Sequence, residues 1–379
     1  MPFCVSKCRY CDFNSYAHTD QDLDRHVDAV LREANLRIEN LNPQTVFFGG
    51  GTPSLLPAET LSRFLDELDS ICGFRKSSFE TTMEANPESF DNATSQAAFE
   101  GGVNRVSIGI QSLRQEVLEA YDRVHSPETA LNAFAIARAT GFSRINLDLI
   151  YAFPGQSEQE WREDLAVIHA LDAEHLSCYE LSYEPGTALT RLKDAGRWQA
   201  ATEETCAAMF EVTRQANEDA GYEAYEVSAF AKAGEASLHN LSYWRSLKYV
   251  GIGAGAAGWY QGIRRRNIER PEQYEAAVDQ GVDPVADSEH LNAEIVLFDH
   301  LMMGLRLPYE GVLLSRAKRL SGLDPLRVYA EELRELLDHQ LLEIISSTDG
   351  KRLRTTKRGL LILDDILTRF LPEDPSMSV

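Results

Sequence analysis

The chain has 379 residues, 44% hydrophobic and 25% charged, an ordinary balance for a globular protein and one that excludes disorder. Lys and Arg number 37 against 59 Asp and Glu, a net charge of −22, which repels phosphate backbones and anionic lipid and so excludes nucleic acid as an expected partner. No apolar run approaches the roughly 20 residues that cross a bilayer, and no basic-then-apolar leader is present, so the expectation is a cytoplasmic protein without an integral membrane segment, peripheral association through a partner being left open.

Residues 2–13 read PFCVSKCRYCDF. Three of the six cysteines, Cys4, Cys8 and Cys11, fall at C-x3-C-x2-C, so one loop can wrap three thiolates around one inorganic centre. A four-iron cube needs four ligands, and three thiolates leave one iron open to a small chelating molecule. A zinc ion completed by His18 and a disulfide pair are the other readings of this spacing. Cys72, Cys178 and Cys206 lie in regular segments and read as small buried apolar residues in a reducing compartment.

Leu23, Val27, Val30, Leu31, Ala34 and Ile38 recur at helical spacing and predict a helix over 20–40. A short apolar strand over 45–48 then runs into Gly49, Gly50, Gly51 and Thr52, a turn where backbone groups can approach a ligand closely. Helices and strands alternate from there: helix 58–71, strand 79–84, a helix, strand 105–110, a helical pair, strand 144–150, helix 158–171 and strand 175–181. Such alternation predicts an α/β fold with a parallel sheet and outer helices, whose ligands bind at the carboxyl ends of the strands. Glu84, Gln111 and Asp148 stand at or near those ends. Each interrupts an apolar run, a cost unless the group is paired.

A helix is predicted over 202–219. Gly253, Gly255 and Gly258 match G-x-G-x-x-G, but no βαβ unit follows, so a buried glycine-rich turn is expected there rather than a dinucleotide site. The stretch HNLSYW places His239 and Asn240 beside Tyr243 and Trp244. Such a histidine is either a hydrogen-bonded structural residue or a neutral imidazole able to ligate haem iron. Helices over 286–305, 311–320 and 325–337, strands over 341–345 and 351–353, and a last helix over 357–370 predict a winged-helix-like module. From residue 286 onward it holds 12 basic and 16 acidic residues, so packing or partner docking is expected of it rather than DNA binding. The tail after Pro372 is expected to be mobile. Domain limits fall at 1–220, 221–285 and 286–379.

The cysteine loop together with GGGTPS, EANPE, GIQS, LDLIYAFPGQ and HNLSYW resembles, over nearly the whole chain, the haem-chaperone family HemW. This is a branch of the radical S-adenosylmethionine (SAM) superfamily related to oxygen-independent coproporphyrinogen dehydrogenase. The resemblance implies a partial parallel (β/α) barrel, a 4Fe-4S cluster on Cys4, Cys8 and Cys11, and SAM chelating the open iron. It also implies that Gly50, Gly51, Thr52, Glu84 and Arg123 lie near the methionine end of SAM, that Gln111 and Asp148 bind its ribose, that Ser182 walls its adenine, and that His239 takes haem. The implied function is delivery of haem to apo haem proteins such as respiratory enzymes. The alternative is the dehydrogenase, a radical decarboxylation in which Arg264, Arg265 and Arg266 would receive substrate carboxylates. In the dehydrogenase branch a fourth cysteine follows two residues after the third, where this chain has Phe13, and HNxxYW is characteristic of the chaperones; both points favour the chaperone. Relatives place a strand and an aromatic residue before the cysteine loop, whereas only Met1, Pro2 and Phe3 precede Cys4 here, so the first barrel strand is expected to be missing and the sheet edge open.

Overall fold

The computed structural model describes residues 1–260 and 262–372; the expected mobile tail lies outside them. Two short strands, β1 (Phe3–Cys4) and β2 (Tyr16–Ala17), pair in parallel and close the base of the cysteine loop. The main sheet then takes β3 (Thr45–Phe48), β4 (Glu80–Ala85), β5 (Arg105–Gln111), β6 (Ile145–Tyr151) and β7 (His175–Glu180), all parallel and in sequence order. Helices Ala58–Cys72, Asn92–Glu100, Pro127–Thr140 and Glu158–Ala170 form the return crossovers. β4 to β7 are buried along most of their length, as expected of a sheet covered on both faces, while β3 at the edge is only partly buried. Local chemistry sets the helix limits. Ser157 and Glu160 form a reciprocal capping box, and Gly73, in the left-handed region at φ 66°, ends Ala58–Cys72, both standard devices for satisfying terminal backbone groups.

The α/β partial barrel agrees with the sequence pattern, and its first strand is β3. Strand–helix alternation did not reveal that β8 (Glu223–Ala224) and β9 (Ala229–Ala231) extend the same sheet in antiparallel fashion beyond β7, carrying it past residue 220. Beyond them β10 (Ala257–Tyr260), β11 (Ile263–Asn267) and β12 (Val285–His290) form a separate antiparallel sheet. β12 replaces the helix expected from residue 286, which begins only at Ala293. The cause is non-local: Arg264 and Arg266 of β11 stand opposite Glu289 and Asp287 of β12, and opposite charges across a ladder stabilise the pairing. The last module packs its helices against β13 (Val312–Leu313), β14 (Leu342–Ser347) and β15 (Gly350–Thr355), around a core that includes Leu301, Leu333, Leu353 and Phe370. It is winged-helix-like, as expected.

Candidate functional site

A cavity of about 460 Å³ opens at the carboxyl ends of the parallel strands, and Cys4, Cys8 and Cys11 all line it. The loop carrying them is tied to its surroundings. His18 N–H donates to the Cys4 carbonyl at 2.7 Å and Arg9 N–H to the Tyr121 carbonyl at 3.0 Å. The thiols of Cys4 and Cys11 are both pushed up, chiefly by burial and in part by the neighbouring cysteine charges. Ionising Cys4 and Cys11 in such surroundings is costly until a cationic centre takes the thiolates. Among the described residues no three His, Cys, Asp or Glu side chains gather on one point as a single metal ion requires. A cube takes each thiolate at a different corner, and three thiols lining one cavity suit such a cluster. All six cysteines are free thiols. Cys72 and Cys178 are buried as expected, whereas Cys206 is only partly so.

The glycine turn is held against the residues that precede the first ligand. Gly51 N–H donates to the Met1 carbonyl at 2.5 Å and Thr52 N–H to the Phe3 carbonyl at 2.8 Å. A Cβ on Gly51 would meet the Phe3 nitrogen and oxygen at 2.7 Å, and Gly50 has φ +110°, so both positions need glycine. Gly50, Gly51 and Thr52 line the cavity. Glu84 reaches the same turn, its carboxylate accepting from Gly50 N–H at 3.1 Å. Burial, and then the charge of Asp148, push that carboxyl up to about 7.

Across the sheet, Asp148 accepts from Ser107 Oγ at 2.8 Å and from Asn146 Nδ2 at 2.8 Å. Its carboxyl is raised by burial against the lowering effect of these donors. Asn146 also receives hydrogen bonds from His175 Nδ1 at 2.6 Å and Ser177 Oγ at 3.0 Å. Gln111 sits in the left-handed region at φ 65°, where the β5–β6 register shifts. Arg123 donates to Cys8 Sγ at 3.5 Å, Asn86 Oδ1 at 3.0 Å and the Gly109 carbonyl at 2.7 Å. Glu84, Gln111, Arg123, Asp148 and Ser182 therefore line one cavity with the three cysteines. Sequence reasoning missed Asn86, Ser107, Asn146 and Ser177. The signal was present for Asn146, since Asn146 and Asp148 alternate on one strand face.

His239 is placed differently from a free ligand. It belongs to the helix Leu238–Trp244, which packs beside β3 with Asn240 reaching the cavity. Its Nδ1 is 2.9 Å from Thr45 Oγ1, its Nε2 is 2.9 Å from Tyr243 Oη, and Phe47 stacks on the ring. Both ring nitrogens are occupied, so in this arrangement His239 is a hydrogen-bonded structural residue, and its use as an iron ligand would require one of these bonds to open. The arginine run does not reach the cavity. Arg264 pairs with Asp299 and Arg266 with Glu269, because these residues belong to the β10–β12 sheet. The glycine-rich turn behaves as expected: Gly253 N–H donates to the buried Glu33 carboxylate at 2.8 Å, and Asn14, just after the cysteine loop, donates to the Ala254 carbonyl at 3.3 Å.

The radical SAM superfamily model matches residues 1–168, and the HemN C-terminal domain model matches residues 291–362. The haem chaperone HemW of Bacillus subtilis is 32% identical over 376 residues, covering 98% of both chains. That of Mycobacterium tuberculosis is 34% identical over 380 residues, covering 98% of this chain and 93% of the relative. Among solved structures, the coproporphyrinogen III oxidase HemN of Escherichia coli superposes with a TM-score of 0.80 at 20% identity, over 98% of this chain and 88% of that one, a likeness of fold. With relatives above 30% identity along nearly its full length, the chain belongs to the HemW family of the radical SAM superfamily.

Proposed function

We propose that this protein is a haem carrier that holds a 4Fe-4S cluster and SAM and passes haem to apo haem proteins such as respiratory enzymes. The observation that carries the reading is the shared cavity: three free thiols face the same space as Glu84, Gln111, Arg123 and Asp148, in a chain similar along nearly its whole length to proteins named haem chaperones. When bound, the cluster supplies an iron corner that can chelate the amino and carboxylate groups of SAM and exchange an electron. Arg123 sets a positive charge against Cys8 and can meet a carboxylate as well. Glu84, with the Gly50–Thr52 backbone, suits an ammonium group. Asp148 and Gln111 can accept from ribose hydroxyls, and Ser182, on the rim of the same cavity, is assigned to the adenine. Haem would engage His239 once the ring gives up its hydrogen bond to Thr45 or to Tyr243.

Among the described residues no helix is long and apolar enough to cross a membrane. Oxygen-independent coproporphyrinogen dehydrogenation is the second reading, supported by the HemN fold. Phe13 at the position of that branch's fourth cysteine and the placement of Arg264, Arg265 and Arg266 away from the cavity weigh against it. Anaerobically reconstituted protein should bind haem in an absorbance titration, and should leave coproporphyrinogen unchanged with SAM and reductant. Robust decarboxylation would reverse the assignment.

A further inference from the structure

A second cavity, of about 200 Å³, lies between the end of the Leu238–Trp244 helix and the C-terminal module. His300 lines it and is only 4% exposed. Its Nδ1 is 3.0 Å from Ser246 Oγ, while its Nε2 is buried without a partner. The Trp244 indole N–H, which can only donate, lines the same cavity and is likewise buried and unpartnered. Three guanidiniums line the cavity, Arg245, Arg316 and Arg352, against two carboxylates, Glu310 and Asp349. Arg245 grips Glu310 at 2.7 Å and Arg352 grips Asp349 at 2.6 Å. Arg316 donates to the Ser246 carbonyl at 3.4 Å and pairs with no carboxylate among the described residues. One positive charge is left over beside two idle buried donors, provided that the Ser246 hydroxyl donates to His300 Nδ1 and leaves the proton on Nε2.

We propose that this cavity is a carboxylate site and that, on the haem-carrier reading above, the carboxylate it takes is a propionate of haem. The guanidinium of Arg316, the Nε2–H of His300 and the indole N–H of Trp244 belong to residues lining one cavity and are the donors it offers an oxyanion, and charge-assisted bonds of this kind are the stronger ones. Two exposed apolar residues adjoin the site in sequence, Leu247 after Ser246 and Tyr309 before Glu310, at 41% and 61% exposure. They offer a macrocycle an apolar landing outside a cavity too small for all of it.

The test titrates full-length, cluster-reconstituted protein with haem and with haem dimethyl ester, whose propionates are blocked, in wild type and Arg316→Gln. Wild type should bind the ester about tenfold more weakly than haem, and the variant should bind haem about tenfold more weakly with little further loss on esterification. Equal affinity for ester and acid, or an ester effect that survives intact in the variant, overturns the proposal while the haem-carrier reading stands. If no haem binds, that reading falls, and the cavity is then judged with sodium propionate alone. A thermal shift with propionate that is lost in Arg316→Gln supports a carboxylate site with another source of carboxylate, and no shift in wild type refutes it.

Discussion

Arg123 donates to the Cys8 sulfur at 3.5 Å, so a guanidinium from the turn after the helix Gln115–Ala120 stands directly against one of the three clustered thiols. The same group holds the Gly109 carbonyl at 2.7 Å, and Gly109 has no Cβ to block it, since one built there would lie 3.3 Å from Arg123 Nη2. Arg123→Gln removes the charge but keeps some hydrogen bonding. It should lose about 1–3 kcal/mol of stability and retain about half the wild-type iron or less after reconstitution. Urea unfolding and iron assay read the two effects separately.

Asp148 should behave in the opposite way. Its carboxyl is raised by burial, so the negative charge there is costly to the fold. Asp148→Asn should change stability by no more than about 1 kcal/mol while weakening SAM binding about tenfold, measured by equilibrium dialysis on reconstituted protein. A large stability loss with unchanged SAM affinity would make Asp148 a structural residue.

The Leu238–Trp244 helix is secured by a buried carboxylate. Glu80 accepts from the Leu238 and His239 backbone N–H groups at 3.1 and 2.9 Å and from Ser237 Oγ at 3.1 Å, and it pairs with Arg105 at 3.0 Å, the two side chains being 0% and 2% exposed. Breaking such a pair leaves a buried charge without compensation, at about 3–5 kcal/mol. Glu80→Gln should show a loss of this size in urea unfolding and faster hydrogen exchange in residues 238–244.

His239 supplies a pH signature. Burial pushes its imidazole down to about 4 from the usual 6.5, so between these values the unfolded chain binds the proton that the fold refuses. The resulting stability is fully present above pH 6.5 and is lost as pH falls toward 4, up to about 3 kcal/mol. Comparing wild type with His239→Gln across this window should show a flatter acid limb in the variant. Parallel limbs would mean that the ring already titrates as an exposed histidine does.

Much of this architecture was legible in the residue pattern because it is local. Val46 to Phe48, Ile145 to Tyr151 and the helical runs between the strands carry their own periodicity, and the cysteine spacing, the glycine turn, Glu84, Gln111 and Asp148 each break an apolar run visibly. The partnerships of His239 were not legible. Thr45 lies 194 positions away, and Phe47 and Glu80 are comparably remote in sequence, so nothing in HNLSYW alone tells a ligand from a packed ring. The same holds for β12, a strand because Arg264 and Arg266 stand opposite its acids, and for Ser107 and Ser177, whose small side chains gain meaning only when β5, β6 and β7 bring them beside Asn146 and Asp148.

The most direct test is the metal and sulfide content of anaerobically reconstituted protein, measured beside a variant in which Cys4, Cys8 and Cys11 are all alanine. The account predicts about four iron and four sulfide per wild-type chain, with brown cluster absorbance that disappears in the triple variant. Zinc in place of iron, or a cluster that survives loss of all three cysteines, would contradict it.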